Sequence, residues 1–253
     1  DFALSSASSR LVLRRFRLGR GERTRTTAER LARLALGTDT PAAGEVTALC
    51  DDAFNKEALT QDFFKKLNHH LAALEKDLLD AAGSRATDAD RKDAFTQAQL
   101  LLERVIFLYF AQNRGWLEQD TSWFVNRFAS HRARASATTF YSDCLRPLFR
   151  SLAKPDFPGR LDGVPFLNGG LFDEDDFETP AAALPIRNQV FLELFDDLLE
   201  AFNFTVREDT PLAQEVAVDP EMLGKIFESI VLHAESVGDE DQAPDKRKAT
   251  GSY

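Results

Sequence analysis

Nine of the eleven residues from Leu100 to Phe110 are apolar, interrupted only by Glu103 and Arg104. One face of a helix cannot hold so many. The stretch 94–114 therefore reads as a helix buried on most sides, the centre on which the other elements pack. Around it, apolar residues return in steps of three and four. Leu59, Phe63, Leu67, Leu71, Leu74 and Leu78 mark a long amphipathic helix or helix pair over 54–82. Thr60 is the candidate cap of its main segment, and Gly83 ends it. Val190, Phe191, Leu194, Phe195, Leu198, Leu199 and Phe202 mark another, with Asn188 as the candidate N-cap. Shorter helices are expected over 27–36, around Trp123 to Phe128, and from Phe140 to Leu152, where Pro147 predicts a kink or a break. Trp116 and Leu117 are expected to pack back after Gly115.

The remainder is less regular. Residues 10–18 mix apolar and Arg residues roughly in alternation, as a strand does. Residues 37–46 read as loop and Arg85 to Asp93 as a polar linker. Pro155 to Pro185 is dense in Gly and Pro, with a tight-turn signal at Asn168-Gly169-Gly170. Phe204 to Val206 reads as a short strand or extended segment. The expected fold is mainly α: a multi-helix bundle with a Gly/Pro-rich central loop and at most a few short strands at the N-terminus and near 204–206.

Composition adds three constraints. The 21 Phe residues suit the space between packed helices. No apolar run approaches the roughly 20 residues of a membrane span, no signal peptide is visible, and no membrane partner is expected. Cys50 and Cys144 have neither metal-ligand spacing nor the number of a disulfide framework. They read as small buried residues in a reducing, cytoplasmic compartment. The net charge of −10 is unevenly spread, since residues 1–33 hold nine Arg against three acids. Arg10, Arg14, Arg15, Arg17, Arg20, Arg23 and Arg25 are the candidate DNA contacts. An acidic body repels phosphate, so any such contact is local.

Near the C-terminus the chain runs Val218-Asp-Pro-Glu-Met-Leu-Gly-Lys-Ile-Phe-Glu228. Asp219 is an N-cap, Pro220 fits the first helical position, and Glu221 meets the positive end of the dipole. Met222, Leu223, Ile226, Phe227, Ile230 and Val231 share one apolar face. A charged loop follows, then Lys246-Arg-Lys-Ala-Thr-Gly-Ser-Tyr253.

The order Asp-Pro-Glu-x-Leu-Gly-x-Ile-Phe-Glu, variable loop, Arg-Lys-x-Thr-Gly-Ser-Tyr resembles the entry to an adenine-specific DNA methyltransferase domain. It is similar to the large single-chain type IIG restriction–modification enzymes and their phage-defence relatives. Leu101-Leu-x-Arg-Val-Ile-Phe-Leu-Tyr-Phe-x-Gln-x-Arg-Gly-Trp-Leu117 resembles the first core helix of that family's helical spacer. Pro165 to Phe172 resembles its central turn, and Phe204-Thr-Val-x-Glu-Asp209 the segment before the methyltransferase entry. The resemblance covers roughly 54–253. A Gly-containing cofactor loop and an Asn-Pro-Pro-Tyr-type motif are absent.

The resemblance implies a division into 1–36, the edge of a preceding nuclease-like domain; 54–235, a helical connector; and 236–253, the linker and start of the methyltransferase domain. It implies a parent that transfers a methyl group from S-adenosylmethionine to adenine in DNA, with Mg2+ belonging to any nuclease domain of that parent. Thr250, Gly251, Ser252 and Tyr253 would contact the cofactor, with the glycine allowing close approach and the aromatic stacking on adenine. Partners are DNA and other domains of the same chain. The fragment itself is expected to be inactive and to hold no cofactor. The alternative is a stand-alone helical module for protein or DNA interaction.

Other chemistry is sparse. The acids Asp173, Glu174, Asp175, Asp176 and Glu178 read as solvated loop residues rather than a Mg2+ site. His69, His70, His131 and His233 lack partners at metal spacing and read as surface residues. No nucleophile–His–acid set, phosphate loop or dinucleotide fingerprint is present, so no catalytic residue and no metal ligand is assigned. Arg104, on the apolar helix, reads as half of a buried ion pair, with Glu103 as one candidate partner.

Overall fold

The computed structural model describes residues 13–16, 25–35, 42–83, 86–134, 138–167, 170–172, 185–205 and 213–228. The fold is mainly helical, as the periodicity requires. Short strand β1 (Leu13–Arg15) precedes α1 (Arg25–Ala32), α2 (Ala43–Ala53), α3 (Lys56–Ala82), α4 (Asp88–Asn113) and α5 (Trp123–Ala133). A π-helical turn, Tyr141–Leu145, then runs directly into α6 (Arg146–Ala153). Helix α7 (Asn188–Leu194) continues into a second π turn, Phe195–Leu199. Strand β2 (Ala213–Glu215) is followed by a helix over 220–228, called α8 here.

The two long helices, α3 and α4, form the most extensive pairing among the described residues. From Leu101 to Gln112 helix α4 is buried almost all round, with Leu102, Val105, Ile106 and Leu108 fully enclosed. Helix α3 turns Leu59, Phe63, Leu67, Leu71, Leu74 and Leu78 inward, as their spacing predicts. The buried apolar residues form one cluster from Ala53 to Ile226. Phe rings are its main currency: Phe63 meets Phe202 edge-on at 5.1 Å, and Phe140 meets Phe128 at 5.0 Å and Phe191 at 5.5 Å.

Helix boundaries differ from the sequence reading where side chains cap the backbone. Asn55, not Thr60, caps α3, accepting from the Ala58 N–H at 3.0 Å. The Thr60 hydroxyl instead bonds back to the Lys56 carbonyl at 2.9 Å. Helix α4 begins inside the expected polar linker, because Thr87 and Asp90 form a reciprocal capping box at 3.3 and 2.7 Å. Helix α2 occupies part of the expected loop 37–46, its first turn closed by the Glu45 carboxylate on the Ala42 N–H at 3.0 Å. Gly83 ends α3 with φ 84°. Asn188 does not cap α7 with its side chain; it opens the helix and bridges two other elements, as described below.

A kink or break is expected at Pro147, and the regular α-helix does not run through it: the π turn ends at Leu145 and α6 begins at Arg146. Pro147 sits at the start of α6, after the π turn in which the Arg146 N–H reaches the Tyr141 carbonyl. The wider turn absorbs the missing donor. The turn at Phe195–Leu199 has no proline and closes with Glu200 N–H on the Phe195 carbonyl at 2.8 Å.

The strands are minor. β1 pairs in parallel with β2, matching Leu13 to Ala213, Arg14 to Gln214 and Arg15 to Glu215. Phe204 forms an isolated parallel bridge with Val218, close to the extended segment expected at 204–206. α1 is tied to the body where Thr26 donates from both its N–H, at 2.9 Å, and its hydroxyl, at 2.6 Å, to the Ala201 carbonyl.

Candidate functional site

The motif that carries the resemblance is anchored at its first residues. Asp219 is buried and accepts from the Met222 N–H at 2.8 Å, the N-cap expected of it. Its other carboxylate oxygen pairs with the Lys56 ammonium at the start of α3. Met222 and Ile226 are buried, and Leu223 and Phe227 pack against the core, so α8 lies with its apolar face on the bundle. Ile230 and Val231 lie outside the described residues, and so do Thr250, Gly251, Ser252 and Tyr253.

Of the seven candidate DNA-contacting arginines, Arg10, Arg17, Arg20 and Arg23 lie outside the described residues, and Arg25 is placed by its backbone alone. Arg14 is exposed and stands 3.8 Å from Asp51 on α2. Arg33, just past α1, meets both oxygens of Asp52 at 3.1 Å. Arg30 is buried and donates to the Asn55 carbonyl at 3.1 Å; burial lowers its pKa. The Arg-rich stretch is thus partly neutralised by α2. Arg15 supplies its carbonyl to the Val216 N–H at 2.9 Å.

Two of the histidines read as surface residues are buried. His70 faces Asp197, with Nε2 and Oδ2 3.5 Å apart, too far for a hydrogen bond. Burial lowers its pKa more than Asp197 raises it. Asp197 is engaged by Lys66 at 2.7 Å. His131 is enclosed between Asp143, 3.4 Å from Nδ1, and the Asn188 amide, 3.2 Å from Nε2. Asn188 also accepts from the Phe140 N–H at 2.7 Å, tying α5, the first π turn and α7 together. The spacing of isolated histidines gives no sign of this, because each partner comes from a distant segment. His69 is exposed, as expected, and His233 lies outside the described residues.

Arg104 is buried, as expected. It donates to the Leu171 carbonyl at 2.6 Å and lies over the rings of Phe149 and Phe172 at 5.5 and 5.8 Å. Glu103 accepts from Gln99 at 3.0 Å, and burial raises its pKa. Cys50 and Cys144 are free and only half-buried; burial pushes the Cys144 thiol up to about 11, leaving it inert.

The acids 173–178 lie outside the described residues. Among the described residues no group of three or more His, Cys, Asp or Glu could hold a metal ion. A depression of about 430 Å³ is lined by Gly115, Trp116, Gln119, Gly163, Val164, Pro165 and Leu167. Its floor requires glycine at 163, with φ 75°, where a Cβ would sit 3.2 Å from the Glu118 Cα. Leu117 packs back into the core as expected, but Trp116 stays 47% exposed at the rim. No acid or base lines this depression, so it offers no acid–base chemistry. Among the described residues, no helix is long and apolar enough to cross a membrane. Compared with protein-family models, curated proteins and solved structures, the chain matches none of them.

Proposed function

We propose that this chain is the helical connector of a site-specific adenine DNA methyltransferase of the restriction–modification kind, working in the cytoplasm. Residues 54–235 are the connector, 1–36 adjoin a nuclease-like domain, and 236–253 enter the methyltransferase domain. The observation that supports this is the seating of the entry motif. Asp219 at once caps α8 and pairs with Lys56 on α3, so a domain continuing from α8 would inherit the orientation of the bundle.

In the parent, Thr250 to Tyr253 form one wall of the S-adenosylmethionine pocket. The cofactor supplies the methyl group, and this chain contributes residues of that wall. The face that receives the flipped adenine lies in the following domain. Mg2+ serves only a nuclease domain of the parent.

The test uses the longest natural polypeptide containing these residues, with tritiated S-adenosylmethionine and duplex DNA. Label incorporated into adenine is the expected result, and Tyr253→Ala should weaken cofactor binding in titration calorimetry without changing the helical circular dichroism. Residues 1–253 alone should neither methylate DNA nor bind the cofactor. A parent that transfers no methyl group to DNA overturns the reading, and tight cofactor binding by residues 1–253 displaces the catalytic boundary.

A further inference from the structure

The positive charge that the N-terminal segment spends on α2 reappears, less engaged, on another face. Residues 123–160 hold seven Arg and Lys against only Asp143 and Asp156, in a chain whose net charge is −10. Arg146 and Arg150 stand one helical turn apart on α6, on the same side. Lys154 follows the last turn in an extended conformation, off that row, and makes contacts of its own. The π turn places Tyr141 beside Arg146, since the Arg146 N–H bonds to the Tyr141 carbonyl. The buried Tyr141 phenol has its pKa raised by burial and drawn back down by Arg104, Arg146 and Arg150, so three guanidinium groups bear on one point.

These arginines are held in place by aromatic rings. Arg104 lies over Phe149 and Phe172, and Arg150 over Phe157 at 5.6 Å. The Arg146 Nε is buried and meets no acceptor among the described residues. Among those residues, no carboxylate lies within ion-pair distance of Arg146 or Arg150. A guanidinium held beside aromatic rings stays charged and keeps donors for an anion.

We infer that the α6 face carrying Arg146 and Arg150 is a docking surface for the phosphate backbone of duplex DNA. Two guanidiniums side by side favour a polyanion over a single ion. Arg146 and Arg150 stand about 6 Å apart along the helix at 1.5 Å per residue, and successive phosphates of one strand advance about 3.4 Å along the duplex. The pair therefore faces about two phosphates. Planar guanidiniums held over rings present two donors to a phosphate at little further cost in entropy. The choice of DNA rests on the proposed function, but the surface can be tested apart from it.

The experiment is fluorescence anisotropy of residues 1–253 with a labelled 20-base-pair duplex across a salt series. The double variant Arg146→Gln/Arg150→Gln should lower the slope of log affinity against log salt by about 2, close to 0.9 per lost phosphate contact. Affinity at low salt should fall about tenfold or more. Arg132→Gln/Arg134→Gln removes the same charge from the end of α5 and should have a much smaller effect. Circular dichroism checks that each variant is folded, and Arg150→Gln alone, expected to lower the slope by about 1, serves if the double variant is not.

An unchanged slope, an equal effect from the α5 pair, or no binding of DNA by the unaltered chain would overturn the assignment. Displacement by millimolar inorganic phosphate at constant ionic strength would also overturn it, because the site would then be one for a free anion. Methyl transfer by the parent is measured separately. A methyltransferase whose α6 is idle and a DNA-binding chain with no methyltransferase therefore give different results.

Discussion

Helices α3 and α4 are nearly equal in length and lie side by side, yet they hold the molecule together in different ways. The second half of helix α4 is enclosed, and two of its polar side chains meet backbone: Arg104 the Leu171 carbonyl, Gln112 the Phe124 N–H at 3.1 Å. Helix α3 buries one face and uses the edge of that face for charged contacts with late segments. Lys56 meets Asp219 before α8, Lys66 meets Asp197 in the second π turn, and Asp77 meets Arg187 at the start of α7. Asp77 also accepts from the Arg187 N–H at 2.6 Å. Apolar burial is non-directional, so the enclosed part of α4 contributes stability but little information about register. The charged contacts of α3 fix which residue stands where. Position along α3 thus determines the placement of α7, the π turn and α8.

Truncation within α4 should cost most. Leu102 is fully buried, and Leu102→Ala should destabilise by about 2–5 kcal/mol, through lost transfer energy and the cavity left behind. Urea titration reads this directly. A loss below about 1 kcal/mol would mean that α4 is not the centre of the core and would break the contrast with α3.

The α3 anchors come next. Asp219→Ala loses the cap of α8 and leaves Lys56, whose side chain is 25% exposed, without its carboxylate. The expected cost is about 2–3 kcal/mol, below that of a fully buried pair because Lys56 can reach water. Asp219→Asn keeps a good capping residue and should cost about 1 kcal/mol less. A double-mutant cycle with Lys56→Met isolates the pair; a coupling energy near zero would show that the contact does not fix register.

Phe107 sharpens the comparison from within α4. A continuous apolar run suggests that all its members are equally buried, and Phe107→Ala would then cost about 3–5 kcal/mol. Phe107 is only half-buried, resting against Phe172 with ring centroids 5.9 Å apart. The expected cost is therefore about 1–2 kcal/mol, read in the same titration. A value near 4 kcal/mol would mean that Phe107 is covered more fully than these contacts provide.

The same contrast explains what could be read from the sequence. Apolar periodicity is a local signal, and it located α3, α4 and the inward face of each. The Asp219-Pro220 pair is also local, and the cap it announces is present. Contacts between distant segments leave no such trace. Nothing within five residues of His70 or His131 announces Asp197, or Asn188 and Asp143, so both rings read as surface residues. Helix starts failed where a cap outweighed composition: the charged run before Ala94 looks like a linker until Thr87 and Asp90 are seen closing a helix over it. The pair of Arg146 and Arg150 was not read from the sequence, because the ring of Phe157 that supports Arg150 and the burial of Arg146 appear only in the fold.

The smallest expected effect tests the anchor in the middle of α3. His70 is 2% exposed, and burial holds its pKa below the ordinary value, with Asp197 opposing. The groups that face it are Asp197, Lys66, which is bound to Asp197, and the His69 ring, 5.3 Å away. A histidine with a lowered folded pKa binds fewer protons in the native state than in the unfolded one. Stability should then be constant above the unfolded value near 6.5 and decline as pH falls below it towards the lower folded value. His70→Gln should flatten that decline, measured as urea midpoints between pH 7.5 and 5. Asp197→Asn should steepen it, since it removes the one charge that favours protonation and leaves Lys66 and His69 opposing it. If Asp197→Asn flattened the decline instead, His70 would be charged and paired in the native state, and α3 would carry a second buried ion pair rather than a neutral ring beside one.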